Sequence, residues 1–166
     1  MKTVLVTGGF DPLHSGHIEY FKQAKKLGDK LIVGVNSDEW LTRKKGRPFM
    51  PFKERCAIIK ELRVVDKVIG FDDEDDSACG AIFHTMATNT GNIVFANGGD
   101  RTNTTTPEYA TYGDHPQVEF VFGVGGENKA NSSSWILDEW KTQKTEQTGK
   151  RLQSKRACNL SRQIIK

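Results

Sequence analysis

The sequence predicts an α/β fold, built as a mostly parallel sheet with helices on both faces. Short apolar runs rich in β-branched residues alternate with helical stretches along the chain, and two of these runs are followed by glycine pairs, Gly8-Gly9 and Gly98-Gly99. The 166 residues are 36% hydrophobic and contain no internal repeat, so we expect a single core. These features together indicate a Rossmann-like architecture.

Five strands are predicted, at about residues 3–7, 30–35, 66–71, 92–96 and 118–122. The first helix is predicted from Ser15 to Leu27, because apolar residues recur every three positions there, and Gly28 supplies its stop. The cationic stretch from Arg43 to Arg47 is predicted to be a loop that ends at Pro48 and suits a mobile lid.

The charge of the chain is unevenly distributed. The formal net charge is +3, but residues 141–166 contain eight Lys or Arg against one Glu, which leaves the preceding part at −4. We therefore predict a domain over residues 1–140 and a flexible, basic tail over 141–166. The tail could touch nucleic acid or an anionic membrane, but it lacks interleaved aromatic residues, so a solvated extension is the simpler interpretation.

The sequence also indicates the compartment in which the protein is expected. No apolar segment approaches the roughly 20 residues that cross a bilayer, and the N-terminus lacks a signal-peptide pattern. The cysteines Cys56, Cys79 and Cys158 have neither disulfide nor ligand spacing, which is typical of a reducing environment. A cytoplasmic protein is the expectation.

The segment from Thr7 to His17 carries the strongest chemical signal. It places His14 and His17 at a strand-to-helix turn, where unpaired backbone N–H groups already favour an anion. A histidine at a helix start is often only a surface or capping residue. Zinc is a further alternative, but His-x-x-His without other ligands nearby is a poor set. The segment is neither a dinucleotide fingerprint nor a P-loop, so phosphate chemistry of another kind is indicated.

The run Gly9–His17, Gly-Phe-Asp-Pro-Leu-His-Ser-Gly-His, resembles the G-x-F-D-x-x-H-x-G-H signature of the cytidylyltransferase-like nucleotidyltransferases. The resemblance extends over about residues 1–140. It includes the segments 28–38, 51–55, 62–68, 98–100 and 131–134. The first 75 residues are similar both to glycerol-3-phosphate cytidylyltransferases and to the adenylyltransferase domain that acts on heptose 1-phosphate.

The resemblance implies transfer of a nucleotidyl group from a nucleoside triphosphate to a phosphate or phosphorylated alcohol, with release of pyrophosphate. In this family pattern His14 and His17 donate to phosphate oxygens, and Lys44 contacts phosphate, with Lys45 as a possible substitute. Mg²⁺ bridges the phosphates, so no protein metal ligand is predicted. An ionised acceptor phosphate needs no general base, which leaves positioning and charge neutralisation as the catalytic tasks.

The resemblance also implies nucleotide contacts, some through backbone N–H groups and some at a second helix start. The predicted nucleotide-binding residues are Gly8, Gly9, Phe10, Asp11, Gly16, Lys129, Ser132, Ser133 and Ser134. Serines at a helix start are also ordinary caps. The family often has a basic residue on each side of this serine cluster, whereas here Lys129 alone stands nearby.

The acceptor is expected to contact Arg55, Arg63, Asp100 and Arg101. Asp100 could hold hydroxyls of the acceptor or an amine of the nucleotide. Because it follows a strand, it is predicted to lie at the carboxyl edge of the sheet. The polar stretch 102–108 is predicted to be a loop that shapes acceptor specificity and leads into a helix with Pro107 in its first turn. The acidic run 72–76 is expected to be a solvated loop or a weak cation site.

We therefore predict a nucleotidyltransferase that favours CTP and glycerol 3-phosphate, because the domain stands free of the kinase that often accompanies the heptose enzyme. The first alternative uses ATP and heptose 1-phosphate. A non-catalytic nucleotide-sensing protein and an RNA-binding module acting through the tail are alternatives of other classes. The resemblance implies a homodimer, with a nucleoside triphosphate and a phosphorylated small molecule as partners, and neither a membrane nor a nucleic acid is expected.

Overall fold

A computed structural model describes residues 1–99, 101, 106–126 and 132–143. Its contacts divide the chain into two units, Met1–Ala130 and Asn131–Lys166. The elements of the first unit are β1 (Thr3–Gly8), α1 (Ser15–Lys25), β2 (Lys30–Val35), α2 (Asp38–Lys45), α3 (Phe52–Lys60), β3 (Lys67–Gly70), α4 (Cys79–Thr88), β4 (Ile93–Gly98), α5 (Pro107–Tyr112) and β5 (Val118–Val124).

The five strands form one sheet in the order β3-β2-β1-β4-β5, and every pairing between them is parallel. The α/β fold predicted from the sequence is confirmed. The chain runs outward from β1 to β3, then returns to β4 on the other side of β1, so the strand order reverses between β1 and β4. Ligands of open α/β sheets bind beside the carboxyl ends of the strands at such a reversal.

The sheet is buried on both faces, as a parallel sheet must be. Alternate residues of β1 enter different core clusters: Val4 and Val6 pack on the side of α1 and α3, and Leu5 packs on the side of α4. The first cluster is completed by Phe21, Ala24 and Ile59, and the second by Ala81, Ile82 and Phe95. The predicted helices on both faces are therefore present.

The stretch predicted as a cationic loop is mostly helix, because α2 runs to Lys45. Ser37 caps this helix by accepting the N–H of Trp40 through Oγ at 3.0 Å. Acidic residues lie in its first turn and basic residues in its last, which suits the helix dipole. Only Leu41 is buried, so the sequence offers no apolar periodicity by which to recognise the helix. Gly46, at φ +87°, ends it.

In the second unit a helix, α6, spans residues 133–143. Its first turn begins where the carbonyl of Ser132 accepts the N–H of Ile136 at 3.1 Å, so the serine cluster does start a helix. The predicted domain boundary at residue 140 falls within α6, and the rest of the predicted tail lies outside the described residues. Within the described ranges no helix combines the length and hydropathy that a membrane span needs.

Candidate active site

The turn after β1 is held by close packing around Phe10. This residue adopts a left-handed backbone conformation, φ 50°, and is 5% exposed. A Cβ at Gly8 would lie 2.9 Å from the Phe10 ring, so glycine is required there. The ring packs edge-on against the His17 imidazole, with centroids 5.1 Å apart. The strained turn therefore fixes the position of a histidine that the sequence predicts to be catalytic.

A second close approach joins this turn to α2. A Cβ at Gly9 would lie 2.9 Å from a methyl carbon of Leu41 and 3.3 Å from the Trp40 ring. A larger residue at position 9 would require the Leu41 and Trp40 side chains of α2 to shift. The two glycines thus serve packing, in addition to the backbone role toward nucleotide that the sequence predicts.

The two histidines cap α1 reciprocally. Nδ1 of His14 accepts the N–H of Gly16 at 3.1 Å, and Nδ1 of His17 accepts the N–H of His14 at 3.3 Å. The rings stack with centroids 3.7 Å apart. A nitrogen that accepts a hydrogen bond bears no proton, so each neutral ring has its proton on Nε2. Both side chains therefore keep an N–H donor that the cap does not use.

Both imidazoles are neutral at pH 7. Burial, followed by the charges of His14 and Lys45, lowers the pKa of His17 to about 3. Burial and the charge of Lys45 also lower the pKa of His14. The pair consequently offers hydrogen-bond donors at the N-terminus of an 11-residue helix without contributing formal charge.

The positive charge beside the histidines comes from Lys45. Its Nζ donates to the backbone carbonyl of Asp11 at 3.2 Å, and its charge acts on both imidazoles. Lys44 instead lies 3.7 Å from Asp76 Oδ2 and 5.7 Å over the Trp40 ring. Neighbouring helical residues point about 100° apart, and of the two lysines Lys45 is the one that reaches the histidine turn here. Which of them contacts phosphate stays a prediction.

Asp11 ties the segment before α3 to the histidine turn. Its carboxylate is buried and accepts the backbone N–H groups of Phe49 and Met50, each at 2.7 Å. The sequence predicts that Asp11 binds nucleotide. The structure gives the carboxylate two strong internal hydrogen bonds, and its predicted contact with nucleotide stays a prediction.

Arg55 is also internal, and its predicted contact with the acceptor phosphate stays a prediction. Its guanidinium donates to the carbonyls of Gly9 and Asn36, each at 2.8 Å, and of Met50 at 3.0 Å. It also pairs with Asp38 Oδ1 at 2.7 Å, and its side chain has no exposed surface. Arg55 thus joins the histidine turn, the end of β2 and the segment before α3.

Arg63 lies away from the histidine turn, and its predicted contact with the acceptor stays a prediction. It is exposed in the turn between α3 and β3. That turn leads into the amino end of β3, where Asp66 N–H donates to the Leu31 carbonyl at the start of β2. The histidine turn lies at the carboxyl end of β1, so Arg63 is at the opposite edge of the sheet.

The end of β4 lies beside α1 at the reversal of strand order. Tyr20 Oη donates to the Ala96 carbonyl, and a Cβ at Gly98 would lie 3.2 Å from the Tyr20 ring. Burial raises the pKa of Tyr20, and the charge of the exposed Arg101 partly opposes that rise. Arg101 is therefore near α1, as the strand-then-glycine pattern predicts, and its contact with acceptor stays a prediction. Asp100 lies outside the described residues.

The remaining predicted contacts are of three kinds. Gly16 acts through its backbone N–H in the cap of α1. Ser132, Ser133 and Ser134 belong to the second unit, at the start of α6. Lys129 lies outside the described residues, so the triphosphate contacts at this end stay predictions.

Sequence reasoning missed Asp73 and Asn36. Asp73 is 4% exposed, and its carboxylate accepts Nδ2 of Asn36 at 2.9 Å. It lies within a run of five acidic residues, where composition gives no sign that one member is buried. Asn36 directly follows β2, and its position at the carboxyl end of a strand is the signal that could have singled it out.

Comparison with known proteins identifies the family. Residues 5–122 match the family model described as Cytidylyltransferase-like. The bifunctional protein HldE of Erwinia tasmaniensis is 41% identical over 112 residues, which cover 60% of this chain and 23% of that protein. HldE of Citrobacter koseri is 47% identical over 75 residues, which cover 44% of this chain and 16% of that protein. The chain thus spans less than a quarter of the length of these curated relatives.

Solved structures agree with this assignment. The lipopolysaccharide core biosynthesis protein from Thermoplasma volcanium is 31% identical, with 74% of this chain and 95% of that chain covered and a TM-score of 0.57. A bifunctional NMN adenylyltransferase/ADP ribose pyrophosphatase from Francisella tularensis shares the fold at 15% identity, with 83% and 41% covered and a TM-score of 0.58. This chain therefore belongs to the cytidylyltransferase-like family and is a nucleotidyltransferase of that family.

Proposed function

We propose that this chain transfers an adenylyl group from ATP to a sugar 1-phosphate, with heptose 1-phosphate as the preferred acceptor. The observation that carries nucleotidyl transfer is the stacked, neutral histidine pair with Lys45 beside it. The acceptor class is supported by the relatives, which are HldE proteins and a lipopolysaccharide core biosynthesis protein. The same part of the sequence resembles the adenylyltransferase domain acting on heptose 1-phosphate, so this choice replaces CTP and glycerol 3-phosphate.

The proposed reaction is a single displacement at the α-phosphorus. An ionised oxygen of the acceptor phosphate forms the new P–O bond, while the bond from the α-phosphorus to the bridging oxygen breaks and pyrophosphate leaves with that electron pair. No proton must be removed from the nucleophile, so neither histidine needs to act as a base. This agrees with two imidazoles that use Nδ1 for backbone hydrogen bonds.

His14 and His17 would donate from Nε2 to oxygens of the α- and β-phosphates as negative charge accumulates there. Donors fixed before the substrate binds stabilise the transition state without reorganisation. The cap, the stacking and the Phe10 contact fix these two rings. Lys45 would supply the formal charge that the neutral imidazoles lack.

Mg²⁺ is the metal expected for this chemistry, and it would neutralise charge on the triphosphate when bound. In the part of the chain that the structure describes, no three His, Cys, Asp or Glu side chains gather as a metal site. In this proposal the ion would be held mainly by phosphate oxygens and water, which is common for Mg²⁺.

The predicted homodimer is also part of this proposal, and analytical ultracentrifugation would measure the oligomeric state.

The test is pyrophosphate release with Mg²⁺, measured for ATP, CTP, GTP and UTP against heptose 1-phosphate, glycerol 3-phosphate, phosphocholine and phosphoethanolamine. We expect release with ATP and heptose 1-phosphate. Release confined to CTP and glycerol 3-phosphate would replace the proposed substrates. Silence across the grid, in protein that binds ATP, would favour the nucleotide-sensing alternative.

A further inference from the structure

The acidic segment 72–76, between β3 and α4, is attached to α2. Asp73 is its buried member, and the Asp73 carboxylate accepts the N–H of Ser37 at 2.8 Å and the Ser37 hydroxyl at 2.7 Å, besides the Asn36 amide. Ser37 in turn caps α2. The start of α2 is therefore held by a carboxylate that accepts three hydrogen bonds, a strong arrangement for a buried group.

The other end of α2 is attached to the same segment through Arg43. Its guanidinium donates to the Asp73 carbonyl at 2.6 Å and to Asp76 Oδ1 at 3.2 Å. Asp76 Oδ2 also lies 3.7 Å from Lys44 Nζ. One short segment therefore holds both the first and the last turn of an eight-residue helix.

Two attachments at opposite ends fix the rotation of a helix as well as its position along its axis. The last residue of α2 is Lys45, whose Nζ reaches the Asp11 carbonyl in the histidine turn. Because residues on a helix are spaced by about 100°, a modest rotation of α2 would turn Lys45 away from the turn.

We propose that Asp73 and Asp76 are positioning residues, which hold α2 so that the Lys45 ammonium lies beside His14 and His17. The catalytic use of Lys45 rests on the proposed function, whereas its placement does not. The acidic segment is thus a structural support of the site and not merely a solvated loop. Asp73 carries most of the effect, because it is buried, whereas the pair between Asp76 and Arg43 is exposed and contributes less.

The placement is tested by titrating the His14 ring by NMR in Asp73→Asn and Asp76→Asn. Removing a negative charge by itself lowers the pKa of a nearby histidine, whereas moving Lys45 away raises it. The two causes therefore predict opposite signs. We expect the His14 pKa to rise by about half a unit in Asp73→Asn and by less in Asp76→Asn. An unchanged or lower pKa in folded Asp73→Asn would overturn the proposal.

The matched control is Asp75→Asn, in the same segment. Asp75 is exposed and bonds only to Ser77 among the contacts the structure shows for its carboxylate, so α2 should not move. Asp76→Asn is conformationally safe because Asp76 has φ 63°, which asparagine tolerates. If Asp73→Asn does not fold, Arg43→Lys tests the same attachment without changing charge. It should also raise the His14 pKa, and an unchanged value would contradict the proposal.

Activity gives an independent readout through a double-mutant cycle. We expect Asp73→Asn to lower kcat about tenfold with little change in the KM for acceptor, because a misplaced cation fails mainly in the transition state. Added to Lys45→Ala, the same substitution should cause no further loss. Multiplicative losses would show that Asp73 acts independently of Lys45. Absence of turnover in the wild type would refute the proposed function, and the NMR titration would still decide the placement.

Discussion

The imidazole of His17 accepts the backbone N–H of His14, so one predicted catalytic side chain holds the backbone of the other. The His14 ring in turn accepts the backbone N–H of Gly16, so the two histidines form a reciprocal cap of α1. Capping and phosphate donation are therefore compatible, because they use different ring nitrogens. Capping uses the Nδ1 edge of each ring, and the predicted catalytic contact uses the Nε2 edge.

The two ring edges can be separated by substitution. In His17→Asn the amide oxygen lies near the place of Nδ1 and retains an acceptor for the cap, but the Nε2 donor is lost. We expect kcat to fall by about 10² to 10³, the scale for removing one transition-state donor, with cooperative unfolding retained. Pyrophosphate release and thermal unfolding measure this, with His84→Asn on the exposed side of α4 as control. Near-normal turnover in His17→Asn would exclude the donor role.

The low pKa of His17 predicts how stability depends on pH. In the unfolded chain this ring titrates near 6.5, and in the folded protein near 3, so the unfolded state binds more protons between these values. The free energy of unfolding should therefore fall as the pH is lowered from about 6.5 toward 3. Urea unfolding should show a smaller fall in His17→Asn than in wild type or His84→Asn. Identical pH profiles in all three would contradict the assigned pKa.

Lys45 and Lys44 form a matched pair of neighbours on α2. We expect Lys45→Ala to lower kcat by at least about tenfold, because it removes the charge beside the phosphate donors. Lys44→Ala should retain near-wild-type turnover, since that side chain points toward Trp40 and Asp76. Steady-state kinetics of both variants decide the matter. A larger loss in Lys44→Ala would restore the assignment that the sequence predicts first.

Arg55 should govern folding more than substrate binding. Arg55→Met leaves the carbonyls of Gly9, Asn36 and Met50 without their donor, and we expect the free energy of unfolding to fall by about 3 kcal/mol. Lys53→Met, at an exposed position of the same helix, should change it by less than about 0.5 kcal/mol. Urea unfolding measures both. A stable Arg55→Met with a raised KM for acceptor would instead support direct contact with the acceptor.

The fold and the histidine turn could be predicted because their signals are local. β-Branched runs that stop at glycine mark β1 and β4, and the spacing of His14 and His17 fixes their place at a helix start. Both depend on residues that are close in sequence, so they can be recognised without knowledge of the tertiary contacts. The proposal of ATP in place of CTP, and of the acceptor class, depends on comparison with relatives, because no residue pattern in the sequence reports the base.

The contacts of Lys45, Arg55 and Asp73 could not be predicted, because they join residues that are distant in sequence. Arg55 is joined to Gly9 across 46 positions, and Asp73 to Asn36 across 37. The residues next to an arginine in the sequence do not show whether its side chain is buried or exposed. The difference between Lys44 and Lys45 depends on the rotation of a helix that has one buried residue and no readable periodicity.

The clamp that Asp11 makes on the segment before α3 has a consequence for mutational tolerance. It binds the N–H groups of Phe49 and Met50, and backbone N–H groups are common to every residue except proline. Phe49 meanwhile exposes 52% of its surface. Substitutions at positions 49 and 50 other than proline therefore keep the two backbone donors that attach this segment to Asp11.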